Sequence, residues 1–345
     1  MKLIIFAGGI GTRLWPLSRE NSPKQFDKIF NNKSTIQLAV ERLSLKFSLD
    51  DIYIQTNVKY KDIISKQVDI PLKNILIEPS RRDLGPAVCY SVLEMKKRKY
   101  DGPIALLWAD HLMTRREEFI GALEIAKELI LENLQRFVFL GERPRFANNN
   151  LGWIKIGKKL GEIQGRDYYK FLEWKYKPAV EDCDEMYRSG DYFWNPGYFI
   201  SSVEFLEEQY RSICREIYDK VRDNDYESCP NLSFDEAIIE RVNLSSAVVI
   251  KTNMGWSDPG TLYALKEALE KNSQDNVTHG LVKTLNVSDS LIYNLEKEKL
   301  LVAIGQKEMV IVNTDDALIV VPKDEVVRIT DVIKELKKEG LTQFL

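Results

Sequence analysis

The stretch "KLIIFAGGIGTRLW", Lys2 to Trp15, decides the fold. It opens on a continuous apolar run of the kind that forms a strand buried on both faces. Gly8, Gly9 and Gly11 follow without a gap, so they fall in the loop at the carboxyl end of that strand. In an open α/β sheet this is the edge where ligands bind. Glycine there allows backbone N–H groups to approach an anion with no Cβ in the way.

The loop is not a P-loop, because Gly11 is followed by Thr12-Arg13 and not by Lys-Ser or Lys-Thr. It fits a dinucleotide fingerprint poorly, since the third glycine is missing. A tight turn that happens to be glycine-rich is the bland alternative. Against it stand Arg13, just past the turn, and Lys24, just past Pro23. Backbone donors with two flexible cations suit a polyphosphate.

Working outward, "DIYIQT", "NILIEP" and "PIALLWAD" are further buried-strand runs, while "TIQLAVERLSLK", "LGPAVCYSVLEMKKRK" and "REEFIGALEIAKELILENL" carry helical spacing. Alternating strand and helix predicts an α/β fold, a Rossmann-like, mostly parallel sheet with helices on both faces. "QRFVFLGERP" and "SAVVIKTN" extend the sheet to about residue 255. "LEKNSQDNVTHG" is polar and turn-rich and marks a boundary. Domains are therefore expected at 1–272 and 273–345, the latter a small β-helix-like domain built from "GLVKTLNV", "SLIYNL", "LLVAIG", "MVIVNT" and "ALIVVP" with a terminal helix, "DVIKELKKEG".

Composition bounds the function. The chain has 345 residues, a formal net charge of −3 and 29% charged residues, so nothing calls for nucleic acid or an anionic membrane. Cys89, Cys183, Cys214 and Cys229 are widely spaced, with only His111 and His279 to help them, which argues against structural zinc or disulfides. The opening apolar run is too short for a signal peptide and no later run is long enough to span a bilayer, so a reduced, cytoplasmic protein is expected.

Asp110 ends the apolar run "IALLWA" and so lies at the carboxyl edge of the sheet. It reads either as a helix N-cap or as an oxygen ligand for Mg²⁺. Asp258, in a Gly/Trp/Pro loop far off in sequence, is free to reach the same edge.

"AGGIGTRLWPLSRENSPKQF" strongly resembles the signature of the sugar-1-phosphate nucleotidylyltransferases, and its long form resembles the mannose-1-phosphate guanylyltransferases in their short, single-activity form. Further matches follow in order: "EPSRRDLGPAV" is similar to E-P-x-x-R-N-T-A-P-A, "LLWADHLM" to a strand ending in P-A-D-H, "YFWNPGYFI" to W-N-S-G-M-F, and "MGWSDPGTLYAL" to G-W-S-D-V-G-S. The resemblance implies transfer of a guanylyl group from GTP to mannose 1-phosphate, giving GDP-mannose and pyrophosphate. It implies catalytic Arg13 and Lys24 and a triphosphate cradle of Ala7, Gly8, Gly9, Gly11 and Thr12. The nucleotide would also meet Glu78, Arg82, Asp83 and Pro86; Asp83 stands where the family has Asn, with a helix cap as its other reading. Mg²⁺ would sit on Asp110 and Asp258. The sugar phosphate would meet Asp110, Gly152, Lys177 and Asn195. Tyr176 replaces the glutamate of the family's E-K-P element, and Glu173 is the nearest carboxylate to take over its contact. A different sugar or base, and a catalytically inactive regulatory paralogue, are the alternatives. A homodimer built on the β domain is expected.

Overall fold

The computed structural model describes residues 1–9, 11–19, 23, 25, 26, 33–176, 178–270, 272 and 274–345. Contacts group the chain into two compact units. One is Met1–Gly8, Ala39–Ala109 and Met113–Trp256; the other is Gly9–Leu38, Asp110–Leu112 and Ser257–Leu345.

The first unit holds the large sheet. Its apolar runs form Lys2–Phe6, Ile52–Asn57, Ile75–Glu78 and Pro103–Trp108. These four pair in parallel, in the order Ile75–Glu78, Ile52–Asn57, Lys2–Phe6, Pro103–Trp108. Alternate side chains go to opposite faces. Ile4, Phe6, Ile104 and Leu106 join a core with Val88 and Val92 of helix Leu84–Lys97, while Leu3, Ile5, Ala105 and Leu107 are equally buried on the other side. Helices therefore cover both faces, as the uninterrupted apolar runs require.

Beyond Pro103–Trp108 the sheet changes character. Phe199–Ser202 inserts antiparallel between Pro103–Trp108 and Val138–Glu142. Val138–Glu142 pairs in parallel with Val248–Thr252, and a long antiparallel hairpin, Gly152–Ile163 with Arg166–Lys175, completes the far edge with Tyr192–Asn195. The hairpin's register shifts between Lys155↔Glu173 and Ile156↔Phe171, so Leu172 is an extra residue, a β-bulge.

The second unit contains the small β domain expected from the C-terminal strands. Val277–His279, Leu291–Asn294 and Met309–Asn313 stack in parallel, and Val282–Leu285 stacks on Leu301–Ile304, the two ladders of a β-helix-like coil. Asn313 Nδ2 donates to Asn294 Oδ1 at 2.8 Å, and Asn294 Nδ2 to the Leu281 carbonyl at 3.1 Å, so stacked asparagines satisfy the turns between the ladders. The unit's core also takes in Leu14, Trp15 and Leu17 of the opening segment, beside Leu262, Leu291, Tyr293, Val312 and Ile329. The Trp15 indole N–H donates to the Phe344 carbonyl at 2.6 Å, and Arg19 donates to that carbonyl, to Asp316 at 2.5 Å and to Thr314 at 3.4 Å.

Lys266 is fully buried here, held by Asp289 and Glu270, and Lys323 donates to the other Asp289 oxygen at 3.1 Å. Removing one partner of such a group strands a buried charge. Lys266→Ala should therefore lower the free energy of unfolding by about 3 kcal/mol, read as a shift in the urea midpoint. An unchanged midpoint would mean the network carries no stability.

Candidate active site

The glycine loop begins in the first unit with Ala7 and Gly8. The Ala7 N–H donates to the Gln55 carbonyl at 2.8 Å, and Thr56 Oγ1 donates to the Ala7 carbonyl at 3.0 Å, so the loop leaves the strand in a fixed direction. A Cβ at Gly8 would lie 2.7 Å from Glu78 Oε1. A side chain at position 8 would force that carboxylate to shift. Glu78 is 8% exposed and accepts from the Tyr226 hydroxyl at 3.2 Å. Burial pushes its carboxyl above the usual range, although the hydrogen bonds from Tyr226 and Gln55 act the other way.

The segment after Glu78 is pinned by its neighbours. Gly85 N–H donates to the Leu232 carbonyl at 2.8 Å, and the Tyr210 hydroxyl to the Gly85 carbonyl at 2.6 Å. A Cβ on Gly85 would meet Leu232 O at 2.8 Å. Asp83 caps helix Leu84–Lys97, its carboxylate accepting the Leu84 N–H at 2.7 Å. Its φ of 65° and ψ of −179° lie in a region that side chains other than glycine rarely enter. Pro86 is buried, and Arg82 Nε is buried with no hydrogen-bond partner among the described residues.

At the antiparallel edge, Gly152 pairs with Asn195. A Cβ on Gly152 would lie 3.1 Å from Trp174 Nε1 and 3.8 Å from Asn195 Nδ2. Asn195 Oδ1 accepts the Gly197 N–H at 2.9 Å. Gly152, Ile154, Phe193, Asn195 and Trp174 share one face of the ladder; Trp153, Lys155, Trp194 and Tyr192 share the other. Glu173, opposite Lys155, belongs to the second face, 3.4 Å from both the Tyr192 hydroxyl and Lys175 Nζ. The structure does not bring it to Gly152 and Asn195.

In the second unit, Gly11 has φ 70° and ψ 33° and starts the turn Thr12–Leu14. Gln25, the third residue of "PKQF", donates to the Gly9 carbonyl at 2.7 Å and fixes the loop from its far side. Thr12 and Arg13 are exposed. A Cβ on Gly260 would lie 3.3 Å from Arg13 Nη2 and 3.1 Å from Asp258 Oδ1, so a cation and a carboxylate converge there. Asp258 thus has a cationic neighbour, which its sequence surroundings do not disclose. Asp110 is partly exposed, with His111 Nε2 4.0 Å from its Oδ1. Among the described residues no group of three His, Cys, Asp or Glu could hold a metal ion. Lys24 and Lys177 lie outside the described residues.

Sequence reasoning missed three side chains that shape these groups, and a fourth, Asp235, whose carboxyl one of the groups, Asp83, influences. Tyr226 and Gln55 hold Glu78. Glu142 is 1% exposed and accepts from Thr252 Oγ1 at 2.9 Å, the Met254 N–H at 2.8 Å and the Trp256 N–H at 3.1 Å, which fixes the chain just before Ser257. Asp235 follows Ser233, which forms a capping box with Glu236. An acid inside "SFDEAIIE" was the available signal.

A nucleotidyl transferase family profile matches residues 2–275. A mannose-1-phosphate guanylyltransferase from Salmonella typhimurium is 30% identical over 99% of this chain and 73% of its own length, and one from Escherichia coli O157:H7 is 29% identical over 99% and 74%. Among solved structures, a Thermus thermophilus protein described as a mannose-1-phosphate geranyltransferase superposes with a TM-score of 0.86 at 26% identity, covering 97% of this chain and 99% of its own. The resemblance read from the glycine segment is thereby borne out.

Burial pushes the Asp235 carboxyl up to about 6 from 3.8; its own backbone N–H works against this, and the nearby charges of Glu240, Glu236 and Asp83 add to it. The folded state holds this proton longer than the unfolded chain, so the group favours folding below about pH 4 and costs stability as pH rises toward 6. Asp235→Asn should stabilise the protein by roughly 2 kcal/mol at pH 7 and by nothing below pH 4. Urea unfolding at the two pH values checks this; an equal effect at both would refute it. With a profile over most of its length and relatives at 30% identity along nearly all of it, this chain belongs to the nucleotidyl transferase family of enzymes.

Proposed function

We propose that the enzyme transfers a guanylyl group from GTP to mannose 1-phosphate, releasing pyrophosphate and forming GDP-mannose. The coarser statement, a sugar-phosphate nucleotidyltransferase, follows from the relatives, and their names support the choice of GTP and mannose 1-phosphate. The geometry that best supports the reading is the glycine loop: Gly8 closed against Glu78, Gly9 held by Gln25, Gly11 turning left-handed, and Arg13 directly behind.

In this reading a phosphate oxygen of the sugar attacks the α-phosphorus of GTP and pyrophosphate leaves. Both partners are anionic, so alignment and charge neutralisation supply the catalysis. The backbone of Gly8, Gly9, Gly11 and Thr12 cradles the triphosphate, and Arg13 and Lys24 stabilise the departing pyrophosphate. Glu78, Arg82, Asp83 and Pro86 border the nucleoside. Gly152, Asn195 and Lys177 receive the sugar phosphate.

For Mg²⁺ the available donors are carboxylate oxygens, from Asp110 and Asp258. That set fits an ion which takes one or two carboxylates and fills its other positions with water and substrate phosphate. When bound it would neutralise phosphate charge. Arg13, converging with Asp258 over Gly260, would hold that carboxylate toward the phosphates.

The second reading, the same chemistry on another hexose 1-phosphate, draws on one observation: no carboxylate stands where the family has its glutamate, and Glu173 faces away. The small β domain leaves Leu285, Val302, Ile304, Leu318 and Val320 exposed, which supports the homodimer. A monomer mass by light scattering across micromolar concentrations would dispose of it.

Pyrophosphate release, assayed with Mg²⁺ for mannose 1-phosphate and glucose 1-phosphate against GTP, UTP, dTTP, CTP and ATP, should be fastest with mannose 1-phosphate and GTP. Arg13→Ala should lower kcat at least about tenfold without changing the unfolding midpoint. Near-normal turnover would remove Arg13 from the mechanism.

A further inference from the structure

We propose that the ammonium group of Lys251 binds the phosphate of the hexose 1-phosphate. The inference rests on the sugar-phosphate reading above.

Val248–Thr252 runs in the same direction as Lys2–Phe6, a relation that passes through Pro103–Trp108, Phe199–Ser202 and Val138–Glu142. Lys251 is its last residue but one, so it stands at the carboxyl end, the edge where an open α/β sheet takes its ligands. The strand pairs with Val138–Glu142 on one side and with Arg166–Lys175 on the other. With Gly152–Ile163 and Tyr192–Asn195 these strands close into a ring. Phe139 and Phe171 stack at 4.9 Å although their strands are not neighbours, so the face that carries them is the inside of the ring. Val249 lies opposite Phe139, and Lys251, two residues on, shares that face.

Register puts Lys251 in line with the sugar-phosphate residues. It lies opposite Gly141. Glu142 lies opposite Trp194, which sets Gly141 against Asn195, and Asn195 in turn lies opposite Gly152. Lys251, Gly141, Asn195 and Gly152 thus form one cross-strand row on one face, with the backbone of Lys251 two strand spacings, about 10 Å, from that of Asn195. Gly141, between them, has no side chain to intervene. The lysine stem and one hexose phosphate together cover such a gap.

The ammonium is held by rings and by no acid. Nζ stands 3.9 Å from the centroid of the Tyr169 ring and 5.3 Å from that of Phe193, with no hydrogen bond or ion pair among the described residues. Two acids on neighbouring strands are committed elsewhere: Asp167 to Lys159 and the Tyr169 hydroxyl, and Glu142 to Thr252 and the N–H groups of Met254 and Trp256. Ring faces attract a cation, but they leave its three N–H donors without an oxygen acceptor. Lys251, Tyr169, Asn195 and Gly152 are all half-buried, so this end of the ring is open to solvent and the charge can be reached. A phosphate brings both the negative charge and the acceptor oxygens that the ammonium lacks.

The test uses Lys251→Met, which keeps a stem over both rings and removes the charge, with Lys251→Gln as a second variant. In each, KM for mannose 1-phosphate should rise at least about tenfold, while KM for the nucleotide stays within about twofold and the unfolding midpoint stays close to that of wild type. Calorimetric titration of mannose 1-phosphate without nucleotide should show the same loss of affinity. Methyl α-mannoside, which lacks the phosphate, should inhibit wild type and both variants equally, because the lysine and the phosphate contribute one shared interaction. A sugar-phosphate affinity unchanged in both variants would overturn the inference and leave the proposed reaction standing. An equal loss for the methyl mannoside would also overturn it, by making Lys251 a packing residue. Weakened binding in the variants, with no pyrophosphate release by wild type, would keep the inference and overturn the catalytic reading.

Discussion

The carboxyl edge of the first unit's parallel strands is organised around a carboxylate packed against a glycine. Glu78 Oε1 sits where any side chain at position 8 would have to begin, at 2.7 Å from the ideal Cβ. The strand ending at Phe6 and the strand ending at Glu78 belong to the same parallel set, so the close approach is built by the sheet and not by the loop. Gln55, on the strand between them, donates to the Ala87 carbonyl at 2.8 Å and lies 3.5 Å from Glu78 Oε2. Tyr226 contributes its hydroxyl from a distant stretch of chain, and burial beside Glu78 holds its phenol far above the usual range. A buried acid with these partners stays in one rotamer, and Gly8 packs against it.

The opening segment does two different things with adjacent residues. Up to Arg13 it presents backbone and charge. From Leu14 it becomes core of the second unit, with Leu14, Trp15 and Leu17 buried against the small β domain. Arg19 shows how the division works: counted by sequence it is one more cation in a basic segment, but it donates to Asp316, Thr314 and the Phe344 carbonyl and stacks 5.5 Å from the Trp15 ring. Its charge is already committed within the protein, whereas Arg13 stays exposed. From Leu14 onward the signature is therefore a tertiary anchor within the second unit.

What the sequence disclosed followed burial. Strands covered on both faces, such as Lys2–Phe6 and Pro103–Trp108, are unbroken apolar runs and stand out. The hairpin Gly152–Lys175 mixes charged, glycine and aromatic residues along a half-exposed ribbon, so no period announces it. Its bulge hides more than its existence. Counting by twos from buried Phe171 would put Glu173 on the core face and Trp174 outside; the extra residue Leu172 exchanges them. Motif spacing thus identified Gly152 and Asn195, while the partner that the fold places beside them was concealed by a single inserted residue. Tyr226 and Glu142 escaped for a related reason, since each bonds to a segment more than about a hundred residues away.

Asp83 shows how a departure from a family motif can be confined. Its backbone lies in a region that costs on the order of 1–3 kcal/mol for a residue with a side chain. The conformation is nonetheless imposed from both sides, by the Gly85 N–H on the Leu232 carbonyl, the Tyr210 hydroxyl on the Gly85 carbonyl and the cap to Leu84. Asparagine and aspartate both supply the capping oxygen, so exchanging one for the other leaves these constraints in place. What changes is charge. Asp83 adds to the acidic surroundings that push the Asp235 carboxyl up, and it lacks the amide donor that asparagine would bring. The loop's hydrogen bonds survive an exchange of asparagine for aspartate, so what that exchange alters is charge and donor capacity and not the backbone.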